Sequence, residues 1–196
     1  MKIRVLVFII FILPSISSAH DFWIFREGKE VKIYGGHYFP KTEMAPGKKV
    51  VVHSYLYGKE GIKEIPLERG ENFLFSKDVE ETGVLGFGFE RGGKIVYCGF
   101  YMPEGENLIK DEMVKRACGD SFSIAKRLQT VNTEKEVNIE FSMDIAESWT
   151  LYTEKGDKNT LFPDKGRISF KTKKPGLFLL VSEISGKSIS IVLEVK

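Results

Sequence analysis

The sequence predicts an all-β chain: two small Ig-like β-sandwiches joined by a short helical segment. Three observations carry this. Short strand-like apolar runs recur along most of the length, cut by glycine, proline and charged turns. Only residues 106–128 shift to helix-like spacing. Strand-like runs then resume, with turn signals at Asp164-Lys165-Gly166-Arg167 and Lys174-Pro175-Gly176 between them. At 196 residues the chain is long enough for one or two small domains with real cores.

Residues 1–19 read as a leader. Lys2 and Arg4 form a charged start, nine apolar residues follow from Val5 to Leu13, and Pro14 breaks the run. Ser17 and Ala19 are the small residues that a signal-peptide cleavage site requires. Nine apolar residues are about half of the ~20 needed to cross a bilayer, so a removed secretory signal fits better than an anchor. Cleavage after Ala19 would send the mature chain to the periplasm or the exterior and make His20 its first residue.

The mature chain then reads in order. Residues 22–25, 31–34, 50–57, 62–67, 73–75, 83–90 and 94–100 are expected strands of an N-terminal sandwich, 20–103. In the third of these, period two puts Val50, Val52, Ser54 and Leu56 on one face, and His53, Tyr55 and Tyr57 on the other. Residues 104–132 are the expected helical connection. Leu108, Met113, Val114 and Ala117, then Phe122, Ile124, Ala125 and Leu128, recur between charges, with Cys118-Gly119-Asp120 splitting two short helices. Residues 137–143, 149–152, 167–171, 177–184 and 188–195 are the expected strands of a C-terminal sandwich, 133–196.

Charge and cysteine usage narrow the function. The 29 Lys+Arg balance 27 Asp+Glu, and loss of Lys2 and Arg4 with the leader leaves 27 of each. No basic stripe exists for nucleic acid, so none is expected as a partner. Cys98 and Cys118 are the only two cysteines. In an exported chain an even pair favours a disulfide; free thiols, or soft-metal ligation with Met102 nearby, are the alternatives. No hydrolase elbow, phosphate loop or paired-cysteine zinc motif occurs. The expected function is non-catalytic.

The three histidines, His20, His37 and His53, crowd into the first 34 residues of the mature chain. A terminal His20 would offer its α-amine and its ring to one cation as a chelate. The amine has a pKa of only about 7.7–8.0, so a metal displaces its proton near neutral pH. His37 follows a strand in Tyr34-Gly35-Gly36-His37, where the glycines give conformational freedom and room beside the imidazole. His53, mid-strand, is the third candidate ligand. Imidazole and amine nitrogens suit nickel, cobalt, copper or zinc. Asp21 is placed to orient His20.

At these residues the chain resembles a known group. His20-Asp21-Phe22-Trp23-Ile24 is similar to the opening of a periplasmic metal-uptake family that includes the NikK-type accessory proteins of ECF-type nickel and cobalt transporters. Tyr34-Gly35-Gly36-His37 resembles its second motif. The stretch from Phe162-Pro163-Asp164-Lys165-Gly166 to Pro175-Gly176-Leu177-Phe178 is similar to the hairpin of its C-terminal Ig-like sandwich. The resemblance implies an exported protein that binds a nickel ion, with cobalt as an alternative, and hands it to membrane transporter subunits; the nitrogen donors leave copper as a further alternative. His20 and His37 are the matched ligands. A terminal histidine plus a second histidine also describes the copper brace of a copper carrier or of lytic polysaccharide monooxygenases. A structural Ig-like module with incidental histidines is the third reading.

Overall fold

The computed structural model describes residues 20–196 apart from Thr42, Glu80, Asp120, Ser121, Asn132 and Thr133; the leader reading of 1–19 lies outside the described residues. Among the described residues nine strands precede the helix: β1 (Asp21–Glu27), β2 (Glu30–Gly36), β3 (Val51–Gly58), β4 (Gly61–Glu64), β5 (Glu68–Arg69), β6 (Phe73–Ser76), β7 (Val84–Arg91), β8 (Lys94–Met102) and β9 (Leu108–Ile109). Helix α1 (Asp111–Cys118) follows. After it come β10 (Ile124–Val131), β11 (Glu134–Phe141), β12 (Trp149–Thr153), β13 (Lys158–Leu161), β14 (Arg167–Thr172), β15 (Gly176–Ile184) and β16 (Lys187–Val195). The all-β sandwich expectation holds. Among the described residues, no helix is long and apolar enough to cross a membrane.

A central eight-stranded sheet, ordered β13-β12-β15-β16-β8-β7-β3-β4, runs through both halves of the chain. Its pairings are antiparallel except one: β16 lies parallel to β8, Ser188–Leu193 against Tyr97–Met102. The expected boundaries near 103 and 133 therefore separate segments that share one hydrogen-bonded sheet.

Each face of that sheet is covered, which is why its strands read as nearly continuous apolar runs. On one face lies the four-stranded sheet β1-β2-β6-β5, packing Trp23, Ile24, Val31 and Ile33 with Phe87, Phe89, Leu179 and Val192. On the other lie α1 and the sheet β14-β11-β10-β9, packing Met113, Val114, Val137 and Ile168 with Phe100, Leu180 and Ile191. Period two sorts β16 between them: Ile189, Ile191 and Leu193 face the helix, and Val192 faces the opposite sheet.

The helical connection is shorter than expected. Among its described residues only α1 is helical; it ends at Gly119, whose backbone is left-handed (φ 74°) and whose N–H bonds the Lys115 carbonyl at 2.9 Å. The second expected helix is strand β10. The spacing of Phe122, Ile124 and Leu128 mimics a helix, but Ile124 and Lys126 alternate as buried positions and Ile124–Val131 pairs along its length with Glu134–Phe141. Lys126 hides the alternation because it is a buried lysine, its ammonium held by the Pro103 carbonyl at 3.0 Å. The short strands β5, β9 and β13 went unread.

Cys98 and Cys118 form a disulfide (Cα–Cα 5.2 Å), both fully buried, tying the end of α1 to β8. The helix lies close on the sheet because residue 88 is glycine: a Cβ there would strike the Ala117 carbonyl.

Candidate metal centre

Two of the three histidines meet. β1 and β2 pair so that Asp21 lies opposite Gly36, and this places residues 20 and 37 side by side at one end of the hairpin. The imidazoles of His20 and His37 pack edge to face, centroids 4.2 Å apart.

The nitrogens of this pair are in distinct states. Nδ1 of His20 is buried and has no hydrogen-bond partner. A buried imidazole nitrogen ordinarily finds one; Trp23 Nε1, Trp149 Nε1 and Ser190 Oγ share this state, and among the four only His20 Nδ1 lies in a residue whose ring meets a second imidazole. Nδ1 is also the ring atom that can close a chelate with the α-amine of the same residue. Nδ1 of His37 lies 2.9 Å from Glu43 Oε2, and the same oxygen accepts the His37 amide at 3.1 Å. A carboxylate on Nδ1 fixes the tautomer that leaves the Nε2 lone pair open. These two hydrogen bonds hold the Glu43 carboxyl below the usual carboxylate range.

The Gly35-Gly36 pair works through space rather than through unusual angles, for neither residue has a left-handed backbone. A Cβ on Gly35 would strike the Phe22 ring. One on Gly36 would crowd Glu43 Cγ at 3.1 Å, in the path the glutamate takes to His37. The loop between them is folded back by main-chain bonds from Glu43 and Met44 N–H to the Gly35 carbonyl, 3.0 Å each.

Asp21 lies beside the pair. Burial pushes its carboxyl up, against the opposing effects of a Tyr152 hydrogen bond, Lys158 and both histidines. Tyr152 Oη donates to Asp21 Oδ2 at 3.1 Å. Burial and the Asp21 charge push the Tyr152 hydroxyl up to about 12, so it remains a donor at neutral pH.

His53 is not brought to this site. It shares a face of β3 with Tyr55 and Tyr57, which pack toward the helix, whereas Leu56 on the other face joins the core beneath β1 and β2. Its register partner is Gly88, on the side against α1, and its Nε2 lies 3.2 Å from Glu90 Oε2. The central sheet stands between it and the other two histidines. Among the described residues no three His, Cys, Asp or Glu side chains gather to hold an ion. A nitrogen site here would use two imidazoles and a main-chain amine. Sequence reasoning missed Glu43 and Tyr152; the signal for Glu43 was only a carboxylate six residues past His37.

No family model matches the chain, and neither does any curated protein. Solved structures offer distant likenesses. A fragment of Escherichia coli alpha-2-macroglobulin spanning domains MG0-NIE-MG1 is 12% identical, with 86% of this chain and 59% of that one covered, at a TM-score of 0.27. A Dscam structure is 10% identical over 86% and 41%, at 0.24. A chain in the crystal structure of a mouse coronavirus receptor-binding domain complexed with its murine receptor is 10% identical over 91% and 99%, at 0.24. The chain thus spans less than two thirds of the first two, and likenesses this low carry no argument.

Proposed function

We propose that this chain is an exported metal-binding protein that captures nickel, or cobalt in its place, for a membrane uptake transporter, and that it catalyses no reaction. The observation that carries the reading is the buried, unpartnered Nδ1 of His20 in ring contact with His37. After cleavage at Ala19, the α-amine and Nδ1 of His20 grip the ion as a chelate and Nε2 of His37 completes a three-nitrogen set. Glu43 supports His37 from behind, and the remaining coordination positions stay open for exchange with an acceptor. Such openness suits a carrier, which must release its cargo. The buried disulfide supports an oxidising compartment.

The donor set, three nitrogens with a borderline cation, excludes calcium and magnesium, which require oxygen. Copper binds the same nitrogens more tightly by the general affinity order, so the metal content of the native protein decides between a nickel carrier and a copper protein. The test is calorimetry with Ni(II) and Co(II) on protein that begins at His20, beside protein with one alanine added before it. Saturable binding that collapses with the added residue is expected. No binding, or equal affinity in both, removes the reading.

A further inference from the structure

β1 is an edge strand. Among the described residues it pairs only with β2, and the N–H and C=O groups on its other side meet no strand there. At Phe22 both outward groups are met by one hydroxyl: Tyr97 Oη accepts the Phe22 N–H at 2.9 Å and donates to the Phe22 carbonyl at 3.0 Å. The Phe22 ring is wedged edge-on against Phe89 and Tyr97, with centroids 4.9 and 5.6 Å away. One residue earlier, Tyr152 Oη holds the Asp21 carboxylate. Tyr97 stands on β8 and Tyr152 on β12, so the central sheet grips residues 21 and 22 from both halves of the chain.

A chelate built on a chain terminus has no element behind it to fix its geometry. An unrestrained first residue rotates freely, and the metal would have to order it on binding. Here the two residues that follow His20 are restrained before any ion arrives. We infer that Tyr97 and Tyr152 are positioning residues of the metal site, holding the Phe22 backbone and the Asp21 carboxylate so that the amine and Nδ1 of His20 meet His37. Neither tyrosine touches the ion. The inference rests on the proposed metal-binding reading, and it makes the site a product of the whole chain: β12 supplies half of the grip.

The experiment compares wild type, Tyr97→Phe and Tyr152→Phe, each beginning at His20. Each variant loses one oxygen and keeps its ring. The readouts are Ni(II) affinity, the visible spectrum of the Co(II) form, thermal unfolding without metal, and hydrogen exchange of the Phe22 amide. Supporting orienting groups around a metal are typically worth ~10- to 100-fold in affinity. A loss in that range is expected for both variants, with an altered Co(II) spectrum; the Phe22 amide should exchange at least ~10-fold faster in Tyr97→Phe. Should Tyr97→Phe fail to fold, Tyr152→Phe, on a half-buried side chain, carries the test. Affinities within about twofold of wild type overturn the inference, whatever the exchange shows. If the wild type binds no metal, the metal reading fails by itself, and Phe22 exchange still decides whether Tyr97 restrains the terminus: faster exchange in the variant supports the grip and unchanged exchange overturns it.

Discussion

Glu43 spends one carboxylate oxygen on two hydrogens of His37, the ring Nδ1–H at 2.9 Å and the backbone amide at 3.1 Å. The contact joins residues six apart in sequence and fixes both position and tautomer of the imidazole. It also explains Gly36, over which the glutamate side chain passes.

Glu43→Ala should therefore weaken Ni(II) binding by ~10-fold or more, the usual scale for a carboxylate behind a ligating histidine. Both partners are partly exposed, at 45% and 34%, and such a solvent-screened contact contributes little to stability. The unfolding midpoint should barely move while calorimetric affinity falls. Equal affinity in variant and wild type would show that Glu43 serves only the loop.

His53→Ala separates the two histidine groups. The residue faces the helix side of the central sheet and meets Glu90 rather than His20 or His37. Its removal should leave Ni(II) affinity within about twofold and cost less than ~1 kcal/mol of stability, the usual scale for a partly exposed polar contact. A large loss of metal affinity in calorimetry would place a second ligand set where the structure has none.

Much of this was legible because successive residues of a strand point to opposite faces. β3 declared its faces through Val50, Val52 and Leu56 against His53, Tyr55 and Tyr57, and the structure keeps that split. β10 did not, since a buried lysine sits where alternation demands an apolar residue. The parallel seam of β16 on β8 is a pairing between Tyr97 and Ser188, distant in sequence, and strand-by-strand reading carries no register across such a gap. The site divides in the same way. His20 and His37 stand out through the cleavage site and the Gly-His step. Tyr97 and Tyr152 act from 75 and 131 residues away, and no local pattern distinguishes them from core aromatics.

The Cys98–Cys118 bridge spans 20 residues and joins α1 to the sheet inside the core. In the chain-entropy account a loop of that size stabilises by about 3 kcal/mol. Cys98→Ser with Cys118→Ser should lower the unfolding free energy by ~2–4 kcal/mol or more, because two hydroxyls are then buried among apolar groups. Urea titration of wild type with and without reductant checks the same quantity without the new hydroxyls. A reduced protein as stable as the oxidised one would mean that α1 is held by packing at Gly88 and Met113 alone.

Glu194 gives stability a pH dependence at the far end of β16. Burial works to raise its carboxyl pKa, but the Tyr101 hydroxyl, donating at 2.7 Å, and Lys196 at 3.0 Å outweigh it, and the net position lies below the ordinary 4.5. A carboxylate depressed in the folded state adds stability that is fully present above its unfolded pKa and is lost as pH falls through the folded one. Lys126 and Glu104 face the same corner, and Lys126 keeps its own contact to the Pro103 carbonyl. Tyr101→Phe removes the hydroxyl and keeps the ring. It should be less stable than wild type at about pH 7, with the gap narrowing below pH 4.5 as Glu194 takes up a proton in both proteins. Urea midpoints measured from about pH 7 down to about pH 3 test this. A gap that stays constant across the range would mean that the hydroxyl acts through packing or a neutral hydrogen bond, and that Glu194 does not set the acid limb.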